Sequence, residues 1–193
     1  MARIEQWMKD VFPGEQRIYA EYRLLPAREL AIVAAAVLDV ALAEIISLRL
    51  RQNRKEIELF LGIDGDGRAP AGSFGARIQL ALLVGLITEE DATILRQIKN
   101  LRNTFAHRVK VDFLSPSVQK ITKEMHSAWV KRTTGLEGLE KNTDGLAFIE
   151  KHLSTIPEAG EGLLLALLAI YQAYFHRLHD RIRPLNDLVA DKD

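Results

Sequence analysis

An all-α fold, a helical bundle of four to five main helices with short helices besides, is what this sequence predicts, on three observations. Apolar residues recur at helical spacing along most of the chain. No sustained run of alternating β-branched residues marks a strand. Proline, glycine and serine punctuate the chain where helices of ordinary length would begin and end. A chain of 193 residues suits a single domain, here divided into an N-terminal arm (1–25), a core (26–132) and a loop with a C-terminal helix (133–193).

The arm offers a short helix over 1–12, with Ile4, Trp7, Met8 and Val11 along one side, stopped by Pro13-Gly14, and a second short helix over 15–24 before Pro26. A long helix then runs from about Pro26 to Arg51. Leu30, Val33, Val37, Val40, Ile45 and Leu48 give it a broad apolar face, and its alanines favour helix strongly. A helical stretch at 53–61 leads into a loop with three glycines and a proline between Ile63 and Gly72.

Ser73 reads as the N-cap of a helix over 74–86, apolar all round apart from Arg77 and Gln79, and so expected to be the central, buried one. Thr88-Glu89-Glu90-Asp91 resembles a capping box. It opens a helix with Ile94, Leu95, Ile98, Leu101 and Phe105 at core spacing, ending near Ala106. Ser115-Pro116 starts the next helix, 116–132, which is expected to pack through Val118, Ile121, Met125, Ala128 and Trp129. A Gly/Thr/Asn-rich loop at 133–145 and a short helix near 146–153 precede the last helix, 161–182, which Pro184 is expected to end.

The absence of cysteine rules out disulfides, thiolate metal sites and a cysteine nucleophile, and fits a reducing compartment. The segment Met1 to Asp10 lacks the apolar centre of a signal peptide. The longest apolar stretch read along the chain, Leu163 to Phe175, is interrupted by Gln172 and falls short of the ~20 residues of a membrane span. A cytoplasmic protein with no membrane partner is expected. The formal charge is zero, yet residues 96–132 carry nine Lys or Arg against two acids, while the segments before and after are net acidic. Such a basic middle can hold an anion or a polynucleotide, or be no more than a solvated face.

Asp64-Gly65-Asp66-Gly67 suggests a calcium loop, but Gly75 stands where the last carboxylate ligand would be required. Gly72-Ser73-Phe74-Gly75 before a helix could cradle an anion, although the lysine and spacing of a phosphate loop are missing, and glycines there also let a helix start close to a neighbour. Asp39 and Arg77 each sit alone in a strongly apolar helix. A buried charge is costly unless paired, so the two are expected to form an ion pair between their helices. A helix-turn-helix at 76–103 would open its reading helix with three acids, which suits phosphates poorly. The five histidines have no metal-site spacing, and no metal or cofactor is expected.

The most distinctive segment is Arg102-Asn103-Thr104-Phe105-Ala106-His107. Asn103 and His107 stack on one helix face, whereas Arg102 lies about 140° from His107 in an ideal helix, so only an unwound helix end would bring them together. Imidazole and guanidinium together could cleave RNA without metal, one moving the 2′-hydroxyl proton and the other holding the phosphate charge. Lys99, Arg108 and Lys110 add positive potential as binding residues. The plainer reading is a helix end stabilised by cations.

The stretch Gly72 to His107, GSFGARIQLALLVGLITEEDATILRQIKNLRNTFAH, and the preceding ELAIVAAAVLDVALAEII resemble the mannitol operon repressor family. Gly72, Gly75, Arg77, Gly85 and Ile87 carry the pattern. The resemblance implies an all-helical fold and a non-enzymatic negative regulator of transcription, acting through a protein or nucleic-acid partner. The Arg-Asn-x3-His motif also resembles the HEPN superfamily of helical bundles, which includes RNA-cutting toxins. That resemblance implies Arg102 and His107 as a catalytic pair, assisted by Asn103, at a dimer interface. A homodimer is expected on either reading, with the basic 96–132 region as its contact with a partner.

Overall fold

The computed structural model describes residues 21–50, 53–62, 68–134, 157 and 159–190. The short helices expected at 1–12 and 146–153, most of that at 15–24, and Asp64 to Gly67 lie outside them. Among the described residues there are six helices and no strand: α1 (Ala27–Arg49), α2 (Arg54–Leu61), α3 (Phe74–Leu83), α4 (Glu89–His107), α5 (Pro116–Thr134) and α6 (Gly160–Ala190). The protein is an all-α bundle.

The helix at the centre is α1, not the one that follows Ser73. It meets α6, α4, α3 and α2, and eleven of its residues are buried, five of them alanines. Those small side chains let neighbouring helices approach its axis closely. By contrast α3 buries Phe74, Arg77, Ile78 and Ala81 and leaves Leu83 at 74% exposure. Length and hydropathy would also let α1 cross a membrane, but 61% of its most apolar 18-residue window is buried inside the bundle, as in a core helix. Of the six apolar residues expected on its inner face, Leu30, Val37 and Ile45 are buried, Val33 and Leu48 are half-buried, and Val40 faces out.

The outer helices follow the periodicity of their sequences. In α4, Ile94, Leu95, Ile98, Leu101 and Phe105 are all fully buried. In α5, Val118, Met125, Ala128 and Trp129 turn inward, Thr122 joins them, and Ile121 is half-buried. Caps fall where the short polar residues stand. The Ser73 hydroxyl accepts the Ala76 N–H, and Thr88 with Asp91 forms a reciprocal capping box, each satisfying N–H groups a helix start leaves open. One expected stop is not made: α6 continues through Pro184 to Ala190. Proline removes one N–H donor and crowds the turn before it, and a long helix can absorb both by bending.

Asp91 does more than cap. Its side chain is 3% exposed. Oδ2 accepts the Thr88 N–H at 3.0 Å, while Oδ1 accepts from Arg132 Nε at 3.0 Å and from the Tyr171 hydroxyl at 2.9 Å. One carboxylate thus joins the start of α4, the end of α5 and the middle of α6. Burial, and next the Asp91 carboxylate, push the Tyr171 phenol well above its ordinary range. Burial alone would lower Arg132, but the attraction of Asp91 leaves it raised. Three donors on one buried acid offset the cost of removing its charge from water.

Asp91→Ala should therefore strand Arg132 and Tyr171 and cost about 3–5 kcal/mol in urea unfolding. Tyr171→Phe removes one of three donors and should cost only about 1–2 kcal/mol. Equal losses for the two variants would show that the carboxylate does not hold this corner.

Candidate functional site

The candidate residues gather around the second half of α4. With neither glycine nor proline between Glu89 and Pro116, nothing in the sequence breaks this helix early. It stays regular through His107 and stops at Arg108, whose backbone is extended. The unwound end needed to join Arg102 to His107 is absent. In a regular helix the two point about 140° apart and are separated by about 7.5 Å along the axis. His107 is exposed, and Asn103, half-buried one turn earlier, lies on the same side.

Arg102 turns the other way. It is half-buried, and its charge is felt by Asp39 of α1. Asp39 is bonded to Arg77 of α3, whose Nη1 donates to Oδ1 at 2.8 Å. The same guanidinium donates from Nε to the Ala71 carbonyl at 3.0 Å and from Nη2 to the Leu61 carbonyl at 2.7 Å. The structure thus brings together Asp39 and Arg77, as an ion pair between two helices, with Arg102 beside them. Burial raises the Asp39 carboxyl above its ordinary value more strongly than Arg77 and Arg102 lower it.

Lys99 leans over the start of α3. A Cβ added to Gly75 would stand 3.4 Å from Lys99 Nζ and 3.7 Å from its Cδ. Those are ordinary van der Waals distances, so Lys99 passes near the start of α3 without requiring a glycine there.

Arg28, which sequence reasoning did not single out, shapes the loop after α4. Its Nη2 donates to the carbonyls of Arg108 at 2.7 Å and Val109 at 2.9 Å. A cation in the first turn of a helix opposes the helix dipole, and that oddity of Arg28 was its one signal in the sequence. With Asp39 within reach of Arg102, these bonds also show that α1 and α4 run antiparallel. Arg108 Nη1 donates to the Ser117 hydroxyl at 3.1 Å, and Lys110 is exposed. Ser115 serves the loop: its hydroxyl donates to Asp112 Oδ1 at 2.8 Å and accepts the Asp112 N–H at 3.1 Å.

The linear charge count overstated the free basic surface. Of the nine basic residues, Arg132 is spent on Asp91 and Arg102 is close enough to Asp39 for its charge to lower that carboxyl. An open groove of about 770 Å³ runs along the α4–α5 seam, with Glu89, Glu90 and Gln97 on one wall and Lys120, Lys123 and Lys131 on the other. None of the candidate residues of the α4 end lines it. Gln97 donates across the seam to Glu124 at 2.6 Å. Among the described residues, no three His, Asp or Glu side chains converge as a metal site. Comparison with known proteins yields no match to a family model, a curated protein or a solved structure.

Arg77→Met would leave Asp39 and two buried carbonyls without their donor, and should cost about 3 kcal/mol, read as a lower melting temperature. The pH dependence has a defined sign. Because Asp39 is raised in the fold, its proton favours the folded state; that contribution is complete below the ordinary carboxylate range and is lost as pH rises through the folded pKa. Relative to Asp39→Asn, which cannot titrate, the parent should lose stability as pH rises from the ordinary carboxylate range through the raised folded pKa. A parent that gains on the variant over that interval would show the ion pair outweighing burial.

Proposed function

We propose that this chain is a negative regulator of transcription without enzymatic activity, similar to the mannitol operon repressors, working as a homodimer through a protein or nucleic-acid partner. The observation that supports this reading is the course of α4. The helix stays regular through His107, so within one copy Arg102 and His107 face different directions. The charge of Arg102 acts on Asp39, which is already paired with Arg77. Cleavage of a phosphodiester needs the proton-transfer group and the charge-stabilising group around one reacting phosphate, and one copy does not supply that arrangement.

A ribonuclease of HEPN type is the second reading, and one observation favours it. His107 is exposed with Asn103 one turn before it on the same side, which leaves both open to residues of a second copy across a two-fold axis.

Single-stranded RNA incubated with the protein and a chelator separates the readings. A regulator leaves the RNA intact, and His107→Ala behaves as the parent does. Cleavage by the parent, reduced about 10²–10⁴-fold in His107→Ala, would replace the regulator with the nuclease.

A further inference from the structure

We propose that the loop joining α4 to α5 is a docking surface for an acidic protein segment carrying aliphatic side chains. The proposal rests on the regulator reading and names the class of its partner.

The loop is held from several sides. Arg28 grips the carbonyls of residues 108 and 109. Asp112 and Ser115 close a turn through two mutual hydrogen bonds, and Asp112 Oδ1 also accepts the Leu114 N–H at 3.0 Å. Phe113 is buried with its ring centroid 5.2 Å from that of Phe105. A loop fixed in this way presents its remaining side chains in one geometry, which lowers the ordering cost of binding.

Those remaining side chains are an unusual set. Val109 is 89% exposed and Leu114 78%, two aliphatic tips on a loop that buries its aromatic residue. Beside them His107, Arg108 and Lys110 are exposed. The one acid in the loop, Asp112, is engaged by its own turn. Aliphatic knobs beside cations fit apolar pockets rimmed by carboxylates, where the apolar contact supplies affinity and the charges supply rate and orientation.

A polynucleotide fits this surface less well. Single strands are gripped by stacking bases on exposed aromatic rings, and Phe105, Phe113 and Trp129 are all buried. Along the neighbouring seam, Glu89, Glu90 and Glu124 stand among the lysines and would repel phosphates.

The test is a random-peptide library displayed on phage and panned against the full chain at about 50 mM salt, counter-selected with the Val109→Ser/Leu114→Ser variant. Both positions are solvent-exposed, and unchanged melting will confirm that the variant folds. An acidic-aliphatic consensus should emerge. Its synthetic peptide should bind the double variant at least about tenfold more weakly than the parent, and Lys110→Glu should weaken it further at low salt than at high salt. No such consensus, or equal binding to parent and double variant, would overturn the proposal. So would tighter binding, dependent on Val109 and Leu114, to a single-stranded RNA of about 16 nucleotides or to vesicles of phosphatidylcholine and phosphatidylserine. RNA cleavage by the parent would end the regulator reading independently, whatever the peptides do.

Discussion

The side chain of Arg77 is almost entirely withdrawn from water, at 8% exposure, and a cation so placed must find acceptors for its donors or destabilise the fold. It finds three: a carboxylate on α1, the last carbonyl of α2, and a carbonyl in the segment leading into its own helix. Planar donors with fixed directions bind such a set only in one relative placement. The positions of α1, α2 and α3 are therefore coupled through a single side chain, and α4 enters the same corner through Arg102.

Asp91 is the counterpart of opposite sign. A buried anion collects a backbone N–H, a guanidinium and a phenol from α4, α5 and α6. The apolar contact of α1 with α4 and α6 supplies the driving force for association but not its register. Hydrophobic burial is non-directional, and hydrogen-bonded charges are not. The bundle uses the first for stability and the second to select one packing among several that the same apolar faces would accept.

How much of this was legible in the sequence depends on how local each feature is. The core positions of α4 follow from a 3.6-residue period, which any single helix displays by itself. The caps at Ser73 and Thr88 were readable for the same reason. The Asp39–Arg77 pair was readable because each charge was alone in an apolar helix, so that few partners remained. Features that need two distant segments were not readable. Arg132 looked like one more surface cation, because nothing near it in sequence announces Asp91, which lies 41 residues away. The central place of α1 was missed because small residues show as helix propensity in one dimension and as close approach only in three. At the candidate site, the residue types around Arg102 and His107 were visible, but their divergence depended on α4 staying regular to its last residue.

The contact between Arg28 and the loop after α4 also bears on how such a surface can change over generations. Arg28 holds carbonyl oxygens, which every amino acid possesses, and asks nothing of the side chains at 108 and 109. Mutations at those positions can alter the side chains the loop displays without loosening how it is held. Geometry and chemistry are thus encoded at separate sites about 80 residues apart in the chain. Descendants of this sequence could exchange the side chains at the tip freely, while Arg28 preserves the shape on which each new set is displayed.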